Sequence, residues 1–131
     1  MVNNDLLCGG RKAILLVEDD DELRQLLEQT LLDRGYAVIS AADGKAALKL
    51  YARGGFDLVI ADILMPEMDG LELVGALRKL NPEVRIIAMS GGGMVSGAQY
   101  LTTARLLGCA GILAKPFKLE KLMEMLEQQL R

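Results

Sequence analysis

One stretch decides how this chain is expected to fold: Phe56-Asp57-Leu58-Val59-Ile60-Ala61-Asp62. Its apolar run, Leu58 to Ala61, ends on the Asp62 carboxylate, and the stretch Ile63 to Gly70, which contains a proline and an Asp-Gly pair, follows directly. A continuous apolar run of this length predicts a strand buried on both faces. An ionisable side chain where such a strand ends is a candidate for chemistry, so Asp62 is the first candidate site residue.

Four further apolar runs are predicted to be strands of the same sheet. With Leu58 to Ala61, the predicted strands are Ala13 to Val17, Ala37 to Ile39, Val84 to Met89 and Ile112 to Ala114. The stretches between and after them have the apolar spacing of helices, namely Leu23 to Leu31, Gly44 to Arg53, Leu71 to Leu80, Ser96 to Leu107 and Leu119 to Leu130. Asp20 or Asp21 is placed to cap the first helix, and Gly35 to end it. Regular alternation of strand and helix predicts an α/β fold, with a parallel sheet of five strands covered by helices on both faces.

Composition narrows the function. The chain has 131 residues, a net charge of -3, two cysteines and no histidine. One domain fits this length, with residues 1 to 11 as a flexible tail and 12 to 131 as the folded domain. Without histidine or a CxxC pair, a zinc site of the usual kind and Ser-His-Asp chemistry are excluded. The acidic balance argues against direct nucleic-acid binding. No apolar stretch suits a membrane span or a secretory signal, so a cytoplasmic location is expected.

Polar residues follow the predicted strands at the carboxyl edge of the sheet, where open α/β sheets bind ligands. Glu18 and Asp19 follow the first strand, Ser90 the fourth and Lys115 the fifth. Two carboxylates about 4 Å apart repel by roughly 4 kcal/mol at an effective dielectric near 20, so an acidic cluster here requires a cation. Oxygen ligands without histidine or cysteine favour Mg²⁺.

A carboxylate beside such a cation can attack phosphorus and form an acyl phosphate. In this cluster Asp62 would be the nucleophile. Lys115 would offset charge on the phosphoryl oxygens, and the Ser90 hydroxyl would donate a hydrogen bond to them.

From Lys12 to the C-terminus the chain resembles the receiver domains of two-component response regulators. The motifs that carry the resemblance are Val17-Glu18-Asp19, Asp62-Ile63-Leu64-Met65-Pro66 with Asp69-Gly70, Ser90-Gly91 and Lys115-Pro116-Phe117. Each motif alone is weak, but their order and spacing together are specific. The resemblance implies a flavodoxin-like fold with strand order 2-1-3-4-5 and a cis Lys115-Pro116 bond.

The resemblance also implies roles for individual residues. Asp62 would be the phosphoacceptor, Ser90 the switch hydroxyl and Lys115 the phosphate-binding ammonium. The Mg²⁺ ligands would be Asp19, Asp62 and the backbone carbonyl of Leu64, with Glu18 acting largely through water.

The implied partners are proteins. A histidine kinase or phosphotransfer protein would phosphorylate Asp62, and an unknown downstream protein would bind the face formed by the fourth predicted helix, the fifth strand and the fifth predicted helix. The chain would not be an enzyme beyond its own phosphorylation and dephosphorylation at Asp62. No membrane contact is expected, and a phosphorylation-dependent homodimer stays open.

A departure from the family pattern at one position leaves an alternative function open. The family usually has an aromatic residue three positions before the lysine, whereas this chain has Ile112. A degenerate receiver that binds partners without phosphate therefore stays open. An aspartyl phosphohydrolase would need an acid where Leu64 stands, and a flavin-binding domain would need a phosphate loop where Glu18 and Asp19 stand.

Overall fold

The computed structural model describes residues 10–63, 70–91 and 108–130. Within these ranges the strands are β1 (Ala13–Val17), β2 (Ala37–Ala41), β3 (Leu58–Asp62), β4 (Ile86–Gly91) and β5 (Gly111–Lys115), and the helices are α1 (Asp21–Asp33), α2 (Gly44–Ala52), α3 (Gly70–Leu80) and α4 (Leu119–Gln129). The helix predicted over Ser96 to Leu107 lies outside the described residues, so α4 is the helix predicted as the fifth.

The five strands form one parallel sheet in the order β2-β1-β3-β4-β5. Both the α/β class and the order 2-1-3-4-5 are confirmed. Every residue of β1 and β3 is buried, as expected for central strands with helices on both faces.

Two apolar clusters, one on each face of the sheet, hold the layers together. On one face Ile14 and Leu16 of β1 pack with Leu27 of α1 and Leu126 of α4. On the other face Leu15 and Val17 pack with residues of the other two helices, including Ala47 and Leu77. Successive side chains of a strand point to opposite faces, so one strand contributes to both clusters.

Helix ends follow the predicted signals. Asp20 caps α1, and its Oδ1 accepts from the Glu22 and Leu23 N–H groups at 3.0 and 3.2 Å. Gly35 follows that helix with a φ of 93°, a left-handed conformation that glycine adopts without steric cost. These signals fix where α1 begins and ends, and hence the length of the turn that leads into it from β1.

Several predicted strand bounds were wrong by one or two residues: β3 and β5 are slightly longer than predicted, β4 lies two residues later, and β2 ends two residues later. β2 continues to Ala41, because Ser40 and Ala41 still pair with β1 although Ser40 is polar; its hydroxyl donates to Glu28 at 2.8 Å. β4 begins at Ile86, not at Val84. The Val84 N–H instead donates to the Asn81 carbonyl at 3.1 Å, so this buried apolar residue belongs to a turn.

The two methionines of the last helix lie in different environments. Met123 is buried, whereas Met125 is half-buried against the core. A Cβ at Gly111 would lie 3.2 Å from the Met125 sulfur, so this glycine provides the room that lets Met125 pack inward.

Candidate functional site

Strand pairing brings the predicted acids together. Val17 is paired with Ala61, so the next residue of each chain segment, Glu18 and Asp62, lies at the same edge of the sheet. Gly91 of β4 is paired with Lys115 at the end of β5. The carboxyl ends of three strands therefore deliver two acids and one ammonium to one place.

Lys115 bridges the two buried acids. Its Nζ lies 2.6 Å from Glu18 Oε1 and 2.8 Å from Asp62 Oδ2. Glu18 is fully buried and Asp62 is 4% exposed. Because charged groups are rarely buried without partners, the bridge accounts for how both acids are tolerated inside the fold.

Burial and hydrogen bonding shift the pKa values of Glu18 and Lys115 in opposite directions. Burial raises the pKa of Glu18 above its ordinary value, although hydrogen bonds from Lys115 and from the Asp20 N–H lower it. For Lys115 burial lowers the pKa, but hydrogen bonds to Asp62 and Glu18 outweigh that effect and the pKa is raised. The lysine is therefore a fixed cation at neutral pH.

Asp19 completes an acidic group that suits a divalent cation. Glu18, Asp19 and Asp62 each offer one carboxylate oxygen, and these atoms lie within 4.8 Å of one another. The donors are all oxygen, which is the ligand set of Mg²⁺ and Ca²⁺. Asp19 is exposed, so solvent reaches the group from its side. The residues present thus fit the predicted Mg²⁺ site.

The turn that carries Glu18 and Asp19 is held by several hydrogen bonds. The Glu18 N–H donates to the Ala41 carbonyl at 3.0 Å, and Glu18 Oε2 accepts from the Asp20 N–H at 3.0 Å. Arg24 of α1 donates from Nη1 to the Glu18 carbonyl at 2.9 Å. Sequence reasoning missed Arg24, although its place one turn after the helix cap was a usable signal.

The remaining predicted site features divide between described and undescribed residues. The Lys115-Pro116 bond is cis, as predicted. Ser90 lies in β4 opposite Ala114, but its side chain is not among those described. Leu64 and the helix predicted over Ser96 to Leu107 also lie outside the described ranges. Ile112 of β5 is half-buried against Ile63 and Ala88.

An apolar groove borders the charged group. It has a volume of about 490 Å³ and is lined by Leu23, Leu26, Leu27, Lys115, Pro116, Phe117 and Leu119. Leu26 is 54% exposed. Lys115 therefore belongs both to the acidic site and to the wall of an open apolar surface.

Comparison with known proteins agrees with this architecture. The family model of the response regulator receiver domain matches residues 14–127. The chain belongs to the response regulator receiver domain family. Among its relatives, the response regulator receiver protein CpdR of Brucella abortus is 34% identical, over 91% of this chain and 97% of that protein.

Other relatives are much longer. The sensor kinase CckA of Brucella abortus is 40% identical over 92% of this chain, yet the match spans 13% of that protein. The match to the response regulator FleR of Pseudomonas aeruginosa spans 23% of its length. Receiver domains similar to this chain thus occur both nearly alone and within larger proteins.

Solved structures share the fold. The chemotaxis protein CheY4 of Vibrio cholerae is 33% identical with a TM-score of 0.82, over 92% of this chain and 99% of that one. The response regulator TrrA of Thermotoga maritima, solved in complex with Mg²⁺ and BeF, is 33% identical with a TM-score of 0.79, over 91% of this chain and 99% of that one. The flavodoxin-like fold is therefore confirmed. None of the helices in the described ranges has the length and apolar character to cross a bilayer.

Proposed function

We propose that this domain is a phosphorylation-controlled signalling switch whose phosphoacceptor is Asp62. The observation that carries the proposal is the placement of that carboxylate, 4% exposed, 2.8 Å from the Lys115 ammonium and grouped with Asp19 and Glu18. A nearly buried carboxylate with a fixed cation and a divalent-metal ligand set is suited to nucleophilic attack on a phosphoryl group.

In the proposed reaction an Asp62 carboxylate oxygen attacks the phosphorus of a phosphohistidine on a histidine kinase or phosphotransfer protein. The new P–O bond forms as the P–N bond of the donor breaks, and the donor imidazole leaves with the electron pair. Lys115 stays close to the developing charge and stabilises the phosphoryl oxygens. The product is an acyl phosphate on Asp62.

The acids would have different roles, since some of them would bind the metal ion and another would orient the lysine. Asp19 and Asp62, with the carbonyl of Leu64, would hold a Mg²⁺ ion, which when bound supplies charge neutralisation for the phosphoryl oxygens. Both oxygens of Glu18 already accept hydrogen bonds, one from Lys115 and one from the Asp20 N–H. Glu18 is therefore suited to orient Lys115 and a metal-bound water rather than to bind the ion directly.

Phosphorylation would change the charge at this edge of the sheet. The phosphoryl group adds about two negative charges and new acceptor oxygens, which the Ser90 hydroxyl would engage. The signal would be read on the face formed by the residues 96–107, β5 and α4. In this proposal the domain has no catalytic activity toward other substrates, and it works in the cytoplasm.

A second candidate function is a degenerate receiver that binds partners independently of phosphate. Ile112 favours it, because a half-buried aliphatic side chain in β5 replaces the aromatic residue that the family usually has there. The acidic group with its paired lysine favours the phosphorylated switch. The two candidate functions differ in how the protein is expected to respond to a phosphoryl mimic.

The test is an NMR titration of the protein with beryllofluoride and Mg²⁺, since this complex mimics a phosphoryl group on a carboxylate. We expect amide shifts at Asp62, Ser90 and Lys115 that saturate in the unchanged protein and are lost in D62N. D33N is the matched control, because Asp33 is an exposed acid at the far end of α1. Equal responses of D62N and the unchanged protein would refute Asp62 as the phosphoacceptor, and no response in either would favour the degenerate receiver.

A further inference from the structure

Arg24 reaches back from α1 to the turn that carries the acids. Its guanidinium donates from Nη1 to the Glu18 carbonyl at 2.9 Å and from Nη2 to Asp21 Oδ1 at 2.6 Å. The Arg24 N–H makes one of the first hydrogen bonds of the helix, to the Asp20 carbonyl at 2.8 Å. Because side chains of a helix point toward its N-terminus, an arginine at this position covers the preceding turn.

The ion pair with Asp21 does not explain why Arg24 is held there. The Asp21 side chain is 75% exposed, whereas the Arg24 side chain is only 17% exposed, and ion pairs with an exposed partner contribute little. The bond to the Glu18 carbonyl is the partly buried one. The burial of the Arg24 side chain is therefore explained mainly by its hydrogen bond to the backbone beside the acidic group.

The Glu18 carbonyl belongs to the peptide unit that leads into Asp19. On one side of this unit the Glu18 N–H is bound to Ala41, and on the other the Asp20 N–H is bound to Glu18 Oε2. The carbonyl between them is bound by Arg24. Rotation of this peptide unit would move the Asp19 carboxylate relative to Asp62, so the Arg24 bond restrains the distance between two of the proposed metal ligands.

We infer that Arg24 is a positioning residue, which orients the turn of residues 18–20 so that Asp19 and Asp62 bind one divalent cation together. The inference rests on the proposed function, since it concerns the same acidic group. Residues that orient metal ligands in this way typically change metal affinity by 10- to 100-fold when they are replaced.

The sign of the effect separates positioning from simple electrostatics. Arg24 is a cation close to an acidic group, and removing it strengthens the attraction of that group for Mg²⁺ if charge alone matters. A positioning role has the opposite consequence, because a misplaced Asp19 binds the ion less well. The direction of the change therefore decides between the two.

The experiment titrates Mg²⁺ into the full chain and follows the amide shifts of Asp19 and Asp20 by NMR. We expect R24A to raise the dissociation constant roughly 10-fold, and R24K, which keeps the charge and one donor group, to raise it less. R34A is the matched control: Arg34 is an exposed arginine at the other end of α1, and its removal should leave the constant unchanged. An R24A protein that binds Mg²⁺ equally well or more tightly overturns the inference.

Two further measurements keep the outcome decisive. If R24A fails to fold, R24K takes its place, and a dissociation constant equal to that of the unchanged protein overturns the inference. If the unchanged protein binds no Mg²⁺ at millimolar concentration, the proposed function fails. The role of Arg24 is then tested separately, by measuring amide hydrogen exchange in the absence of metal. Faster exchange at the Asp20 amide in R24A than in R34A then supports positioning of the turn, and equal exchange overturns it.

Discussion

Charged side chains have different partners at the two edges of the sheet. At the amino ends of the strands, which we call the base edge, charged side chains bind backbone groups: Asp57 accepts from the Ala13 N–H at 2.8 Å, and Arg78 donates to the carbonyls of Pro82, Val84 and Gly108 at 3.1, 3.3 and 2.6 Å. At the carboxyl ends, the site edge, Glu18, Asp19 and Asp62 face one another around one ammonium, that of Lys115.

The difference shows where the fold carries an electrostatic imbalance. Side chains of the base edge meet backbone partial charges of opposite sign, so they stabilise the turns without needing a ligand. At the site edge three carboxylates are grouped around the Lys115 ammonium, and a bound divalent cation would reduce the repulsion between them. Substitutions at the base edge should therefore change stability by the same amount with and without Mg²⁺. For substitutions at the site edge, the change in stability should depend on Mg²⁺.

The largest effect is expected for K115M, which leaves Glu18 and Asp62 buried without their cation. Removing one partner of a buried ion pair typically costs about 3 to 5 kcal/mol, and we expect about 3 kcal/mol of unfolding free energy in EDTA. Mg²⁺ should restore part of this loss. Urea unfolding with and without Mg²⁺ measures both, and a loss below about 1 kcal/mol in EDTA contradicts the bridging role.

The same variant has a pH signature. The pKa of Lys115 is raised above its ordinary value of 10.5 by its hydrogen bonds to Asp62 and Glu18, which outweigh burial. The stability that it contributes is therefore fully present below pH 10.5 and is lost as the pH rises through the folded-state pKa. The difference between the unchanged protein and K115M should shrink in that alkaline range, and a constant difference would refute this account.

R78A tests the base edge, with an expected loss of about 2 kcal/mol. The charge-assisted bonds to three carbonyls disappear, and a hydrogen bond to a charged group contributes about 1.5 to 3 kcal/mol where it is desolvated. Unlike K115M, this variant should lose the same amount with and without Mg²⁺, and its dissociation constant for Mg²⁺ should stay unchanged. K79A, at an exposed neighbouring lysine, serves as the control in the same unfolding assay.

D19N should stabilise the metal-free protein by about 1 kcal/mol, because it removes one charge from a group of mutually repelling carboxylates. In saturating Mg²⁺ the order should reverse, since the unchanged protein gains binding free energy that the variant lacks. Thermal unfolding in EDTA and in Mg²⁺ gives the sign of the stability difference between D19N and the unchanged protein under each condition. A destabilised D19N protein in EDTA would mean that Asp19 is structural.

Y51F should have the smallest effect, about 0.5 kcal/mol. The Tyr51 hydroxyl accepts from the Asn81 side chain at 3.1 Å in an exposed position of the base edge, so water replaces the lost partner. The stacking of the Tyr51 ring on Phe56, with centroids 6.1 Å apart, is retained. Chemical unfolding measures the change, and any dependence of it on Mg²⁺ would contradict the separation of the two edges.

Much of the fold could be predicted because its signals are local. The run from Ala13 to Val17 has no polar interruption, and the strand has those bounds. β2 was predicted too short because Ser40 is paired by its backbone and satisfied by Glu28, a contact that apolar periodicity does not detect. Val84 was assigned to a strand because it begins an apolar run, although its backbone forms a turn with Asn81.

The residues of the site could be predicted, but not the connections between them. Strand ends that share one edge indicate that Glu18, Asp62 and Lys115 converge. They do not indicate that one ammonium binds both acids, which depends on side-chain rotamers across three strands. Arg24 was missed because its partner is a backbone carbonyl, and a sequence motif gives no information on where a carbonyl points.

The unequal exposure of two neighbouring acids has a practical consequence for chemical footprinting. Asp19 is open to solvent whereas Asp62 is 4% exposed, so a bulky carbodiimide should label the former and spare the latter. The ratio of the two adducts in a mass spectrum would then report the difference in accessibility between these two carboxylates.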